Sequence, residues 1–225
     1  MNAVIYYSNT GQSKAIAAYL AARLDYPLVD IWEAGNTYHT LVLVFPVHCQ
    51  RLPGAVRGFL KRVKAVQLVP IATYGRMCHG NVLQQLQKRY DFSISAAAYV
   101  PTKHSYLNEP PFSDYAALRP LLEKISQPQE ISIPKSGRNI LSGFFPGLRS
   151  RMGVRLIKNA RCNGCGACEK QCRQQALRRG KWNRHCIRCL HCAAVCPAGA
   201  VDVRLTQPMR WYLAKKKQDD LVLYV

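Results

Sequence analysis

Acidic residues are scarce in this 225-residue chain: 12 Asp+Glu face 32 Lys+Arg, for a formal charge of +20. Such a balance excludes a self-neutralised surface; taken bare it would suggest nucleic acid, but once anionic cofactors are counted no nucleic acid is expected as the main partner. Long apolar runs are also missing. No stretch approaches the roughly 18 residues of a membrane-spanning helix. Met1 runs straight into VIYY without a charged n-region or a cleavage site, which predicts no signal peptide and a cytoplasmic location. Neither G-x4-G-K-[ST] nor G-x-G-x-x-G occurs. Their absence argues against NTP hydrolysis and against a dinucleotide pyrophosphate site.

Cysteine is plentiful but confined. Eight of the ten lie between Cys162 and Cys196, while Cys49 and Cys78 stand apart. Without an export signal, closely spaced thiols predict metal binding rather than disulfides. The run CNGCGACEKQC contains Cys162, Cys165, Cys168 and Cys172. The same spacing returns at Cys186, Cys189, Cys192 and Cys196, followed by Pro197. Two full C-x2-C-x2-C-x3-C runs suit a four-thiolate iron–sulfur cube and fit poorly with zinc, which favours two separated pairs or mixed Cys/His sets. Arg173 follows Cys172, where this motif often has proline, and no ligand is lost by that change. His185 and His191 are surplus to eight thiolates. Gly164 and Gly166 keep the first loop small.

A second motif lies near the N-terminus. In YYSNTGQSKAIA a strand ends, a polar loop follows and a helix begins. Ser8, Asn9, Thr10, Gly11, Gln12 and Ser13 offer hydroxyls and free amides at a helix N-terminus, which suits a terminal phosphate. A monophosphate held by neutral groups fits FMN. The plainer alternative is a side-chain cap by Ser8 or Thr10. Two more loops, FPVHCQRLPG and TYGRMCHGN, follow later strands and supply ring-contact candidates: Pro46, Val47, His48, Cys49, Thr73, Tyr74, Gly75, His79 and Gly80. The expectation for Cys49 and Cys78 is that they are buried as small apolar residues.

Apolar strands alternate with helical patterns through the first 126 residues. The strands read as NAVIYY, PLVDI, TLVLVF, AVQLVPIAT and ISAAAYV. The helices read as QSKAIAAYLAARL, PGAVRGFLKRV, GNVLQQLQKRY and DYAALRPLLEKI. This predicts an α/β domain with a five-stranded, doubly wound parallel sheet. Residues 127–158 read as a linker or packing arm, 159–205 as the cysteine domain closed by AVDVRL, and 206–225 as a basic aromatic tail. The basic excess is uneven: residues 1–125 carry 13 Lys+Arg and 7 Asp+Glu, whereas residues 126–225 carry 19 and 5.

With SNTGQS in place, residues 1–126 resemble a flavodoxin-like domain. With the duplicated cysteine run, 159–205 resemble a bacterial-type two-cluster ferredoxin of small α+β fold. Together they resemble the flavodoxin–ferredoxin fusion family, often called EFR-type ferredoxins. The resemblance implies FMN and two 4Fe–4S clusters. It also implies crossed ligation, with Cys196 completing the set of Cys162, Cys165 and Cys168, and Cys172 completing that of Cys186, Cys189 and Cys192. The expected function is electron transfer between flavin and clusters and onward to an acidic redox partner. One alternative is a flavin-dependent reductase of a small molecule such as a quinone. Another is a redox-sensing binder of nucleic acid or an anionic membrane surface, motivated by FFPGLRSRMG and the basic tail.

Overall fold

The structure, a computed structural model, describes residues 1–136, 146–215 and 217–225, and their side chains except those of 146–149. Residues 137–145, part of the expected linker, and Lys216 lie outside the described residues. Two compact units emerge. Residues 1–104, 108–136 and 217–225 form one, and 105–107 with 146–215 form the other.

The first unit is built on strands β1 (Ala3–Tyr6), β2 (Leu28–Asp30), β3 (Thr37–Pro46), β4 (Lys64–Tyr74) and β5 (Ala97–Pro101). β1, β3 and β4 carry near-continuous buried apolar runs, as strands covered on both faces must. Their pairing is parallel, with Val42 opposite Val4 and Val69. The order β2-β1-β3-β4-β5 is that of flavodoxin-like doubly wound sheets, with the switch point between β1 and β3. Helix α1 (Gln12–Leu24) buries Ile16, Ala17, Leu20 and Ala21 against one face and stops at Asp25, whose φ of 53° ends the helical path. Helices α2 (Gly54–Leu60) and α3 (Val82–Arg89) cover the other face, through Val56, Phe59, Val82 and Leu86.

The structure departs from expectation at three places. The sheet has six strands, because β10 (Val222–Tyr224) pairs antiparallel with β5. A sheet ending at β5 would leave its backbone groups bare, and the returning chain end satisfies them. Pro53 is the cap of α2 rather than a residue of its first turn. The expected helix over 114–125 is divided into a 3-10 turn (Tyr115–Leu118) and α4 (Arg119–Ser126). Pro120 has no N–H and its ring crowds the carbonyl four residues back, so one continuous helix cannot form.

In the second unit, α5 (Pro146–Gly153) leads into β6 (Val154–Lys158). There follow α6 (Ala167–Lys170), β7 (Leu177–Arg178), β8 (Lys181–Trp182), α7 (His191–Ala194), β9 (Val201–Leu205) and α8 (Gln207–Leu213). β6 pairs antiparallel with β9, and β7 with β8. Residues 217–225, left without a role by the sequence reading, belong to the first unit. No helix among the described residues is long and apolar enough to cross a membrane.

Candidate functional site

The polar loop sits at the switch point, between the end of β1 and the start of α1. Gly11 is the N-cap of α1, with φ 88°, and no side chain caps the helix. The expected alternative, a cap by Ser8 or Thr10, is therefore not what this loop does. Ser8 Oγ instead accepts from the Gly11 amide (3.0 Å) and holds the turn. No acidic residue lies in the first turn of α1. First-turn amides and the positive end of the dipole make such a helix start favourable to an anion. Thr10 and Gly11 are exposed, and Gln12 is half-buried. Ser13 is buried and shares a hydrogen bond with Thr73 (2.8 Å), tying the loop to the end of β4. These residues fit a terminal phosphate, with Ser13 acting as a structural tie.

The loop after β3 begins at Pro46 and Val47, both half-buried; the Val47 amide donates to Thr73 O (2.7 Å). His48 lies 6.3 Å from the Tyr7 ring and 3.4 Å from the Asn9 amide nitrogen. Burial pushes His48 down to about 4, so at neutral pH the ring is uncharged and accepts from Asn9. Cys49 is exposed, with φ 48°, which corrects the expectation of a buried residue. Cys78 is half-buried.

The loop after β4 is more closed than the sequence suggests. Tyr74 is 3% exposed, and its hydroxyl donates to Asp220 O (2.7 Å). It therefore ties the C-terminal segment and presents no free ring face. His79 is buried and stacked on Tyr99 at 3.7 Å, where burial lowers its pKa. Its Nδ1 donates to Gly80 O (2.8 Å), which leaves Nε2 to accept from Gln218 (3.4 Å). Gly75 packs on His104 and Gly80 on Gln50, each too close to admit a Cβ. The exposed aromatic in this neighbourhood is Trp32, 59% exposed and edge-on to Tyr7 at 6.5 Å. It was not among the residues expected at the ring. Its only signal was an unpatterned tryptophan just past a short strand.

The cysteine unit is a twofold repeat at an offset of 24 residues. Asn159 and Asn183 stand three residues before the first cysteine of each run. Asn159 Oδ1 accepts from Arg161 N (3.0 Å), and Asn183 Oδ1 from His185 N (2.8 Å). Gly164 and Arg188 share positive φ (76° and 57°), as do Gly166 and Leu190 (73° and 63°). Ala176 N donates to Cys172 Sγ (3.3 Å), and Ala200 N to Cys196 Sγ (3.2 Å).

The links between the halves are crossed. Asn159 N donates to Ala200 O (3.0 Å), and Asn183 N to Ala176 O (2.8 Å). Asn159 Nδ2 reaches Gly199 O and Asn183 Nδ2 reaches Gln175 O, both at 3.4 Å. Each run thus begins on the turn that carries the fourth cysteine of the other run. The thiols act on one another within and between the runs: burial raises the pKa of Cys192, and Cys186, Cys168 and Cys172 raise it further. Burial raises the pKa of Cys168, and Cys196 and Cys162 raise it further. Burial pushes the Cys189 thiol up to about 11, with Cys192, Cys186 and Cys172 adding to it. These shifts favour protonated thiols, and a metal that bound them would have to displace their protons. Among the described residues, no group of three or more His, Cys, Asp or Glu is gathered as for a single metal ion.

No family model and no curated protein matches the chain. Among solved structures it is similar to a candidate flavoprotein of Bacteroides uniformis ATCC 8492, at 15% identity and a TM-score of 0.40, over 46% of this chain and 92% of that one. A candidate flavoprotein of Bacteroides eggerthii DSM 20697 matches at 18% identity and 0.40, over 55% and 96%. The Trp repressor binding protein of Bacillus subtilis matches at 16% identity and 0.36, over 59% and 100%.

Proposed function

We propose that this chain is an electron-transfer protein that joins an FMN in the first unit to two 4Fe–4S clusters in the second. The observation that carries the reading is the crossed repeat of the cysteine unit. The asparagine three residues before each three-cysteine loop is hydrogen-bonded to the turn bearing the other run's fourth cysteine. Ligation in which the fourth cysteine of each run serves the other cluster would draw the same segments together, and these bonds support it. Cys162, Cys165, Cys168 and Cys196 would hold one cluster, and Cys186, Cys189, Cys192 and Cys172 the other. The α1 N-terminus, with Ser8–Ser13, would hold the FMN phosphate; the missing side-chain cap and the absence of acid from the first turn of the helix support that. His48 and Trp32 would border the ring. A flavin accepts one or two electrons and each cluster one, so the chain would convert between the two regimes within one molecule.

Anaerobic reconstitution with iron, sulfide and FMN tests the reading. About eight irons, eight sulfides and one FMN per chain are expected. In Cys196→Ala, the cluster held by Cys162, Cys165 and Cys168 should be damaged and the other retained. Zinc as the sole bound metal, or loss of the cluster nearest Cys196 in sequence instead, would overturn it.

A further inference from the structure

The repeat is not perfect, and its imperfections gather on one side. At the position where the first half has Gly164, the second has Arg188 at a similar positive φ. A left-handed backbone favours glycine, so an arginine there is held against its own preference. Its guanidinium explains what is gained. Nη1 lies 3.1 Å from Cys186 Sγ. Nε is buried without a hydrogen-bond partner. A second donor joins it: Trp182 Nε1 is also buried and lacks a partner of good geometry, and it lies beside the Cys192 thiol. The matching residue in the first half is Lys158, which is exposed, with its amine beside Gly180. The cation nearest the start of the first run, Arg161, is spent on Gly199 O (2.6 Å) and Asp202 (4.0 Å).

We infer that Arg188 and Trp182 are tuning residues that make the centre held by Cys186, Cys189, Cys192 and Cys172 the more readily reduced of the two. This rests on the cluster reading above. Reduction adds one electron and breaks no bond; the negative charge on the core and its sulfurs rises by one. N–H donors and a fixed positive charge aimed at those sulfurs stabilise the reduced form more than the oxidised one. Burial acts the other way, since it penalises the more highly charged state. The ligand cysteines of this set are only half-buried, whereas a full positive charge stands at hydrogen-bond distance. The donors therefore dominate. The other set has exposed Cys162 and Cys165, which favours its reduction, but a glycine in place of the arginine, so it lacks the charged donor.

The test is an anaerobic, mediator-poised titration followed by electron paramagnetic resonance, on wild type, Arg188→Gly, Arg188→Lys and Trp182→Phe. Arg188→Gly installs the first half's residue at a backbone angle glycine tolerates. It should lower the higher of the two cluster midpoints and leave the lower one in place. Trp182→Phe should move the same midpoint in the same direction by less, and Arg188→Lys should fall between wild type and glycine. Iron is counted in each protein. Wild type without about eight irons defeats the cluster reading itself. Variants with full iron whose midpoints match wild type, or shift together, overturn the inference. If Arg188→Gly fails to hold iron, Arg188→Lys and Trp182→Phe decide by the same criterion.

Discussion

Gly80 and His48 show how single residues shape the flavin-side loops. Gly80 sits at φ 64°, and a Cβ there would stand 2.7 Å from that of Gln50. Gly80→Ala combines backbone strain with a collision between two loops. It should cost about 1–3 kcal/mol, read as a lower urea midpoint with an unchanged slope. His48 makes a pH prediction. Burial lowers its folded-state pKa to about 4 from 6.5, so the unfolded chain binds more protons between those values. The contribution is therefore fully present above about pH 6.5 and lost as pH falls toward 4. The ring is only half-buried, and solvent reduces the effect to on the order of 1–2 kcal/mol. Urea titrations from pH 7 to 4 should show this loss, and His48→Gln should flatten it. Neither residue's role was readable beforehand. The sequence marks Gly80 and His48 as loop residues, but only the meeting of two loops makes one a close contact and the other a desolvated ring.

Two elements carry the phosphate loop and the sheet edge. If the N-terminus of α1 holds FMN, a carboxylate at its mouth should repel the phosphate. Thr10 is exposed and outside the core, whereas Ser13 is tied to Thr73. Thr10→Glu should therefore weaken FMN binding at least about tenfold, roughly 1.4 kcal/mol, while melting stays near wild type. Fluorescence titration of apoprotein with FMN reads the affinity; unchanged binding would refute the phosphate site. The second element is β10. Its pairing with β5, together with Tyr74 on Asp220 and Arg76 on Asp219 (2.9 Å), fastens the chain end to the loop after β4. Ending the chain after Leu221 should cost on the order of 2–4 kcal/mol and expose an aggregation-prone strand edge. Denaturation and light scattering together would show both. The five parallel strands were legible because each is a long apolar run or closes an alternating β/α pattern. β10 was not, since three residues at the end of a basic segment carry no period of their own.

At the scale of the whole molecule, charge is the property to explain. Two four-thiolate clusters near −2 each and a phosphate near −2 would leave about +14 of the formal +20. We propose that the remainder steers an acidic redox partner. Electron-transfer rates with an acidic acceptor protein should then fall as ionic strength rises from about 0.01 to 0.15 M, where the screening length shrinks from about 30 to 8 Å. Lys215→Glu should lower the low-salt rate. Lys217 is a poorer probe, because its amine is paired with Glu109. Stopped-flow rates indifferent to salt, with salt-sensitive retention on DNA or anionic vesicles, would favour the alternative binder.

Much of this protein is determined locally, and local patterns survive reading in one dimension. Buried parallel strands, amphipathic helices, the polar loop before α1 and the doubled cysteine spacing each depend on residues within about one element of one another. The repeat Asn159/Asn183 belongs to the same class: N-x-x-C stands before both runs, although its meaning appears only when each asparagine is seen on the other half's turn. The tertiary structure decided the rest. It turned Tyr74 inward to Asp220, brought Trp32 beside Tyr7, returned residues 222–224 to the edge of β5 and set Arg188 against Cys186. These depend on contacts between segments distant in sequence, or on the direction a side chain takes from a left-handed backbone. Neither leaves a periodic trace, because burial and hydrogen bonding are satisfied by the partner that folding brings near.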